Sequence, residues 1–143
     1  MNYLALLLLL PVIAGASVVD QNFVKAVGRI ESGNRSSAIG DAGKARGEFQ
    51  IHKPSWDQIS AARKARGEKV YQWEIYAHDS AIASQYAAEY LRWVESCLTK
   101  RLKRQPTRAE IYAGWNLGLG SFGKRGYDIS KVPSITKNAI SKL

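Results

Sequence analysis

The chain has 143 residues, enough for one domain built round a single hydrophobic core. It carries 21 Lys and Arg against 12 Asp and Glu, a formal net charge of +9, so its surface favours polyanions: nucleic acid, anionic lipid, or a bacterial wall rich in phosphate and carboxylate. A lone cysteine, Cys97, excludes an intrachain disulfide and a thiolate metal site, and no zinc-finger spacing or RNP-like segment marks a nucleic-acid reader.

The chain opens on an apolar run. Leu4 to Leu10 is nearly all leucine and continues through Pro11-Val12-Ile13 to the small residues Ala14-Gly15-Ala16. This reads as a signal peptide over 1–16, with an A-x-A-like exit before Ser17, and it places the remaining 17–143 outside the cytoplasm, secreted or periplasmic. No Lys or Arg precedes the run, and Tyr3 to Val19 is long enough to span a bilayer if tilted, so an uncleaved anchor is the rival. The exit has no cysteine, which argues against a lipoprotein.

Asp20 is a good N-cap for a first helix that buries Phe23, Val27 and Ile30 and stops near Gly33-Asn34. Ala38 to Ile51 reads as a loop interrupted by Gly40, Gly43 and Gly47. Pro54 opens a second helix that Gly67 closes. Val70 to Tyr76 fits a short extended piece or a connecting turn. The longest helix runs from Asp79 to about Leu102, with Ile82, Tyr86, Tyr90, Val94 and Leu98 on a stripe thickened by Ala83, Ala87 and Leu91. Cys97 falls on this helix as a small packed residue. Thr107-Arg108-Ala109-Glu110 is a capping box, opening a helix that carries Ile111, Tyr112 and Trp115 to a loop at Gly118 and Gly120. A last short helix follows Pro133. The expected fold is mainly α, one helical domain with a cleft.

Glu31 is the chemical candidate. A carboxylate at a helix C-terminus feels the partial negative charge of the last carbonyls, which disfavours ionisation, and burial pushes the same way. Such a group can hold a proton near neutral pH and deliver it to a leaving oxygen. Taken alone, it is equally a solvated Glu before a Gly-Asn helix stop.

Three segments change that balance: Glu31-Ser32-Gly33-Asn34, Gly47-Glu48-Phe49-Gln50-Ile51, and Tyr112-Ala113-Gly114-Trp115-Asn116-Leu117-Gly118. Here the chain resembles the lysozyme-like superfamily, in particular the soluble lytic transglycosylases and goose-type lysozymes. Their signatures are a Glu-Ser pair, a Gly-x-x-Gln segment and an Ala-Tyr-Asn-x-Gly segment in this order. The resemblance implies that Glu31 is the catalytic acid and base, and that Ser32 orients it or a nearby substrate group. It implies substrate-binding roles for the amides of Gln50 and Asn116, which pair well with N-acetyl sugars. Gly47 and Gly118 would let the backbone approach the saccharide. Trp115 stands where the family has Tyr, keeping the aromatic and losing the hydroxyl. The late Thr-x-x-Tyr segment is altered too: Thr136-Lys137-Asn138 leads to Ala139, leaving Tyr112 or Tyr127 to take the tyrosine's place.

Asp41 is the candidate second carboxylate. A glycosidase normally pairs an acid with a nucleophile or base, whereas the transglycosylase relatives use one Glu and the substrate's own 6-hydroxyl. The stretch from Gly40-Asp41-Ala42-Gly43 to Phe49-Gln50-Ile51 and Trp56 is also similar to invertebrate-type lysozymes, which hydrolyse. Asp41 as an Asx loop residue stands beside the catalytic reading. Glu48 occupies a position usually apolar in the relatives and is expected at the surface. Trp56, Trp73 and Trp93 are possible sugar-stacking residues, with core packing the commoner fate.

The implied function is a monomeric enzyme cleaving the β-1,4 bond between N-acetylmuramic acid and N-acetylglucosamine in peptidoglycan, as lytic transglycosylase or lysozyme. Its partners would be glycan strands on an anionic cell-wall surface; no metal, cofactor or nucleic acid is called for. The alternative is a non-catalytic cell-wall or chitin-binding protein that retains the cleft.

Overall fold

Asp20 caps the first helix as its side chain dictates: Oδ1 accepts the Phe23 N–H at 2.8 Å, and the chain enters α1, Gln21–Ser32. The computed structural model describes residues 15–143; most of the expected signal peptide, and with it the choice between a cleaved leader and an anchor, lies outside the described residues. Phe23 and Val27 are fully buried, while Ile30 is half-buried rather than in the core. Gly33, in the left-handed region at φ 66°, ends the helix by donating to the Arg29 carbonyl.

The expected loop from Ala38 to Ile51 is instead a miniature antiparallel sheet. Three two-residue strands, β1 (Ile39–Gly40), β2 (Ala45–Arg46) and β3 (Ile51–His52), pair in the order β1-β2-β3, with Asp41–Gly43 as a 3-10 turn between the first two. Two residues are too few to display an alternating pattern, so the strands are invisible to periodicity. Glu48 is half-buried in this region rather than exposed at the surface.

Helix α2 (Lys53–Ala65) carries Pro54 in its first turn, one residue after its start, and the single turn α3 (Trp73–Tyr76) replaces the extended alternative for that stretch. Helix α4 (Ser80–Leu102) is the central element: Tyr86, Ala87, Leu91, Val94 and Leu98 are all completely enclosed, and it packs against α1, α2, α3 and α5. Its stripe rotates slightly from the expected one, leaving Ile82 and Tyr90 half-buried. Cys97 is half-buried on it. Trp56 lies in the core stacked on Tyr86 with centroids 3.7 Å apart, and Trp73 is buried with its indole N–H on the Ile51 carbonyl.

The capping box forms in full at the start of α5 (Arg108–Leu117): the Thr107 hydroxyl accepts the Glu110 N–H, and the Glu110 carboxylate accepts the Thr107 N–H. After Gly118 the chain does not loop but re-enters a short helix, α6 (Leu119–Gly123); Gly118 at φ 78° breaks one helix and caps the next. Helix α7 (Ser134–Ile140) follows Pro133 and packs on α5. The described residues thus make seven helices and one small sheet, a mainly α fold. None of these helices is long and apolar enough to cross a membrane.

Candidate active site

Glu31 sits in the last turn of α1, facing α5. Tyr112 and Trp115 lie three residues apart on α5 and so share a face. The Tyr112 hydroxyl donates to Glu31 Oε1 at 2.8 Å and the Trp115 indole N–H donates to the same oxygen at 3.2 Å. Oε2 accepts no hydrogen bond among the described residues and lies open to the pocket side of the carboxyl group. Burial raises the Glu31 pKa above the ordinary carboxylate value and outweighs the two donors, which favour the anion; nearby Asp41 adds to the rise and His52 opposes it. Burial and the neighbouring carboxylate push the Tyr112 phenol far up, so it remains a donor across the working pH range.

Around Glu31 opens a pocket of about 550 Å³. One wall is the small sheet and the start of α2, with Asp41, Ala45, Gln50, Ile51, His52, Pro54 and Ser55. The lining is completed by Tyr90 of α4 and Trp115 to Gly118 at the end of α5. Glu31, Asp41, Gln50, Trp115, Asn116 and Gly118, dispersed over the sequence, are therefore gathered on one surface.

The two amides are oriented by internal bonds. Gln50 Nε2 donates to the Gly47 carbonyl at 2.9 Å, from a backbone held at φ 51°. A Cβ on Gly40 would lie 2.3 Å from Gln50 Oε1, so only glycine lets that amide lie across β1. The buried Thr136 hydroxyl of α7 donates to Asn116 Oδ1 at 2.8 Å, leaving the amide N–H groups of Asn116 without a partner among the described residues. The pocket lining thus includes both amides, Gln50 and Asn116.

Ser32 departs from expectation. It is buried, its hydroxyl donates to the Glu48 carbonyl at 2.7 Å and accepts the Arg35 N–H at 2.9 Å, and it makes no bond to Glu31. It ties the end of α1 to the sheet and does not line the pocket. Gly47 is likewise consumed by packing: a Cβ there would lie 1.6 Å from the Ala77 carbonyl oxygen, so its missing side chain serves the interior and not a ligand. Trp93 is exposed, stacks on Tyr90 at 5.3 Å, and Tyr90 meets Trp115 edge-on at 5.6 Å, making an aromatic path from the surface to the pocket.

His52 is the residue the sequence reading missed. Its Nε2 lies 2.8 Å from Asp41 Oδ2, with both side chains well exposed in the pocket. His52 ends strand β3, two residues after Gln50, and a two-residue strand carries no pattern that would single it out. An exposed pair of this kind adds little stability, yet Asp41 and Ala42 are held at φ 47° and 53°, a left-handed backbone costing about 1–3 kcal/mol per non-glycine residue. The Glu31 carboxyl and the Asp41–His52 pair thus border the same pocket. Of the two tyrosines considered from the sequence, Tyr112 contacts Glu31, while the Tyr127 hydroxyl is engaged by Arg101. In comparisons with known proteins, the chain matches no family model, and no curated protein and no solved structure shows significant similarity to it.

Proposed function

We propose that the protein is a peptidoglycan-cleaving glycosidase with a lysozyme-like fold, acting outside the cytoplasm on the β-1,4 bond between N-acetylmuramic acid and N-acetylglucosamine. The observation that carries the reading is Glu31: a carboxyl with a raised pKa, oriented by Tyr112 and Trp115, beside a pocket with paired amides. Glu31, as general acid, transfers a proton to the glycosidic oxygen as the C1–O bond breaks, and the sugar passes through an oxocarbenium-like state. The resulting carboxylate then takes a proton from the attacking hydroxyl. Where that hydroxyl is the muramyl 6-OH, the product is a 1,6-anhydro sugar; where it is water, the product is a reducing sugar. Asn116 and Gln50 supply one donor and one acceptor for an acetamido group, whose own N–H and carbonyl are the complementary pair.

The Asp41–His52 pair favours hydrolysis between the two outcomes, because a transglycosylase has no task for a second acid or base. A zymogram on cell walls compares the wild type with Glu31→Gln. Clearing by the wild type and a loss of roughly 10²–10⁴-fold in the variant are expected for removal of a general acid. Equal clearing would remove Glu31 from the mechanism, and no clearing by either on several wall types would favour wall binding without catalysis. Mass spectrometry of the muropeptides then separates an anhydro product from one heavier by a water. Asp41→Asn should impair the hydrolase and leave a transglycosylase nearly intact.

A further inference from the structure

Glu95 is a buried carboxylate in the middle of α4, and among the described residues no cation lies in ion-pair contact with it. Its two oxygens are occupied from one place only. The Ser17 hydroxyl donates to Oε2, and the Val18 N–H donates to Oε1 at 2.8 Å. The Gln105 side chain holds the preceding carbonyl, Ala16 O, at 2.7 Å. A buried anion normally demands a compensating charge. The segment that satisfies this one begins at the bond where the small-residue exit Ala14-Gly15-Ala16 places a processing cut.

We propose that cleavage between Ala16 and Ser17 creates a built-in ion pair, the new α-ammonium of Ser17 with the Glu95 carboxylate. Hydrolysis of that peptide bond by one water leaves a carboxylate on Ala16 and an ammonium on Ser17. That nitrogen is separated by two carbons from the hydroxyl already bonded to Oε2. Processing therefore supplies the missing countercharge and pins the start of the mature chain to α4, three residues ahead of the Asp20 cap of α1. Arg92, Lys100 and Lys103 also border this surface, and Arg104 does so while paired with Glu110. They oppose a second positive charge, so the Glu95 contact has to outweigh them. The inference is independent of any catalytic role for Glu31.

The sign of the linkage is fixed by the pairing. An ammonium stabilised by Glu95 has a folded pKa above the ordinary ~7.7–8.0 of an α-amine. Its stabilisation is fully present below that value and is lost as pH rises through the folded pKa. The full chain is exported from a bacterial host, and intact mass locates its first residue; Ser17 is expected, and any other start overturns the proposal. On the exported protein, the α-amine is ¹³C-dimethylated and its NMR signal is titrated. A midpoint above about 8 supports the pair, and one at or below the ordinary value overturns it. Thermal unfolding from pH 7 to 10 should show a loss of melting temperature that Glu95→Gln lacks, and superimposable profiles would also overturn the pair.

Discussion

Two donors converge on Glu31 Oε1, and yet burial dominates and leaves the acid weaker than a free carboxyl. A group whose folded pKa is raised stabilises the fold fully below its unfolded value of about 4.3, and that contribution is lost as pH rises through the folded pKa. Glu31→Gln keeps an oxygen for both donors and cannot ionise. The variant is therefore expected to melt higher than the wild type at pH 7, with the gap closing by about pH 4, as thermal unfolding across pH will read. Tyr112→Phe acts in the same sense as burial. Removing a donor that favours the anion raises the Glu31 pKa further, so the basic limb of the pH–activity profile moves to higher pH; an unmoved limb would detach Tyr112 from the acid. These residues differ in how readable they were. Glu31, Gln50 and Asn116 stand in short motifs and were legible by local order. The roles of Tyr112 and His52 depend on which side chains the fold brings across a pocket, and nothing local encodes that.

At the scale of elements, chemistry written into the chain produced the helices that position the site. Asp20, Asp79 and the Thr107–Glu110 box each cap a helix in the expected place. The sheet was not legible, because its strands are held by neighbours and not by their own pattern. The turn Ala77-His78 clamps it from one side: the His78 ring contacts the Ser36 carbonyl at 2.9 Å, and the Ala77 carbonyl fills the space over Gly47. Gly47→Ala meets both the 1.6 Å clash and a backbone at φ 76°. Overpacking and left-handed strain each cost about 1–3 kcal/mol, so a destabilisation of roughly 2–6 kcal/mol is expected in denaturant unfolding. Gly118→Ala keeps the unfavourable φ with open space around it, and should cost about 1–3 kcal/mol. The pair of variants separates packing from strain. Gly47 was read from sequence as room for a ligand, and the structure assigns that room to the Ala77 carbonyl.

For the whole molecule, charge and site are two separable layers of the proposed activity. All the acidic and basic side chains lie from Asp20 onward, so removal of residues 1–16 leaves the side-chain balance at +9. The basic residues of the Lys100-Arg101-Leu102-Lys103-Arg104 run lie at the end of α4, and none of them lines the Glu31 pocket. Under the proposed function, a cationic surface set apart from the site would concentrate the protein on an anionic wall without touching the bond that breaks. Salt acts on that layer alone: the screening length falls from about 8 Å at 0.15 M to about 3 Å at 1 M. Sedimentation with intact walls should therefore show binding weakening steeply as salt rises. Turnover of short soluble glycan fragments, which depends on Glu31 and the amides, should stay within about twofold over the same range. Replacing Lys100, Arg101 and Lys103 by Gln should mimic high salt on walls and leave fragment turnover unchanged. If fragment turnover fell in parallel with wall binding, the positive surface would belong to the site itself, and the two layers would be one.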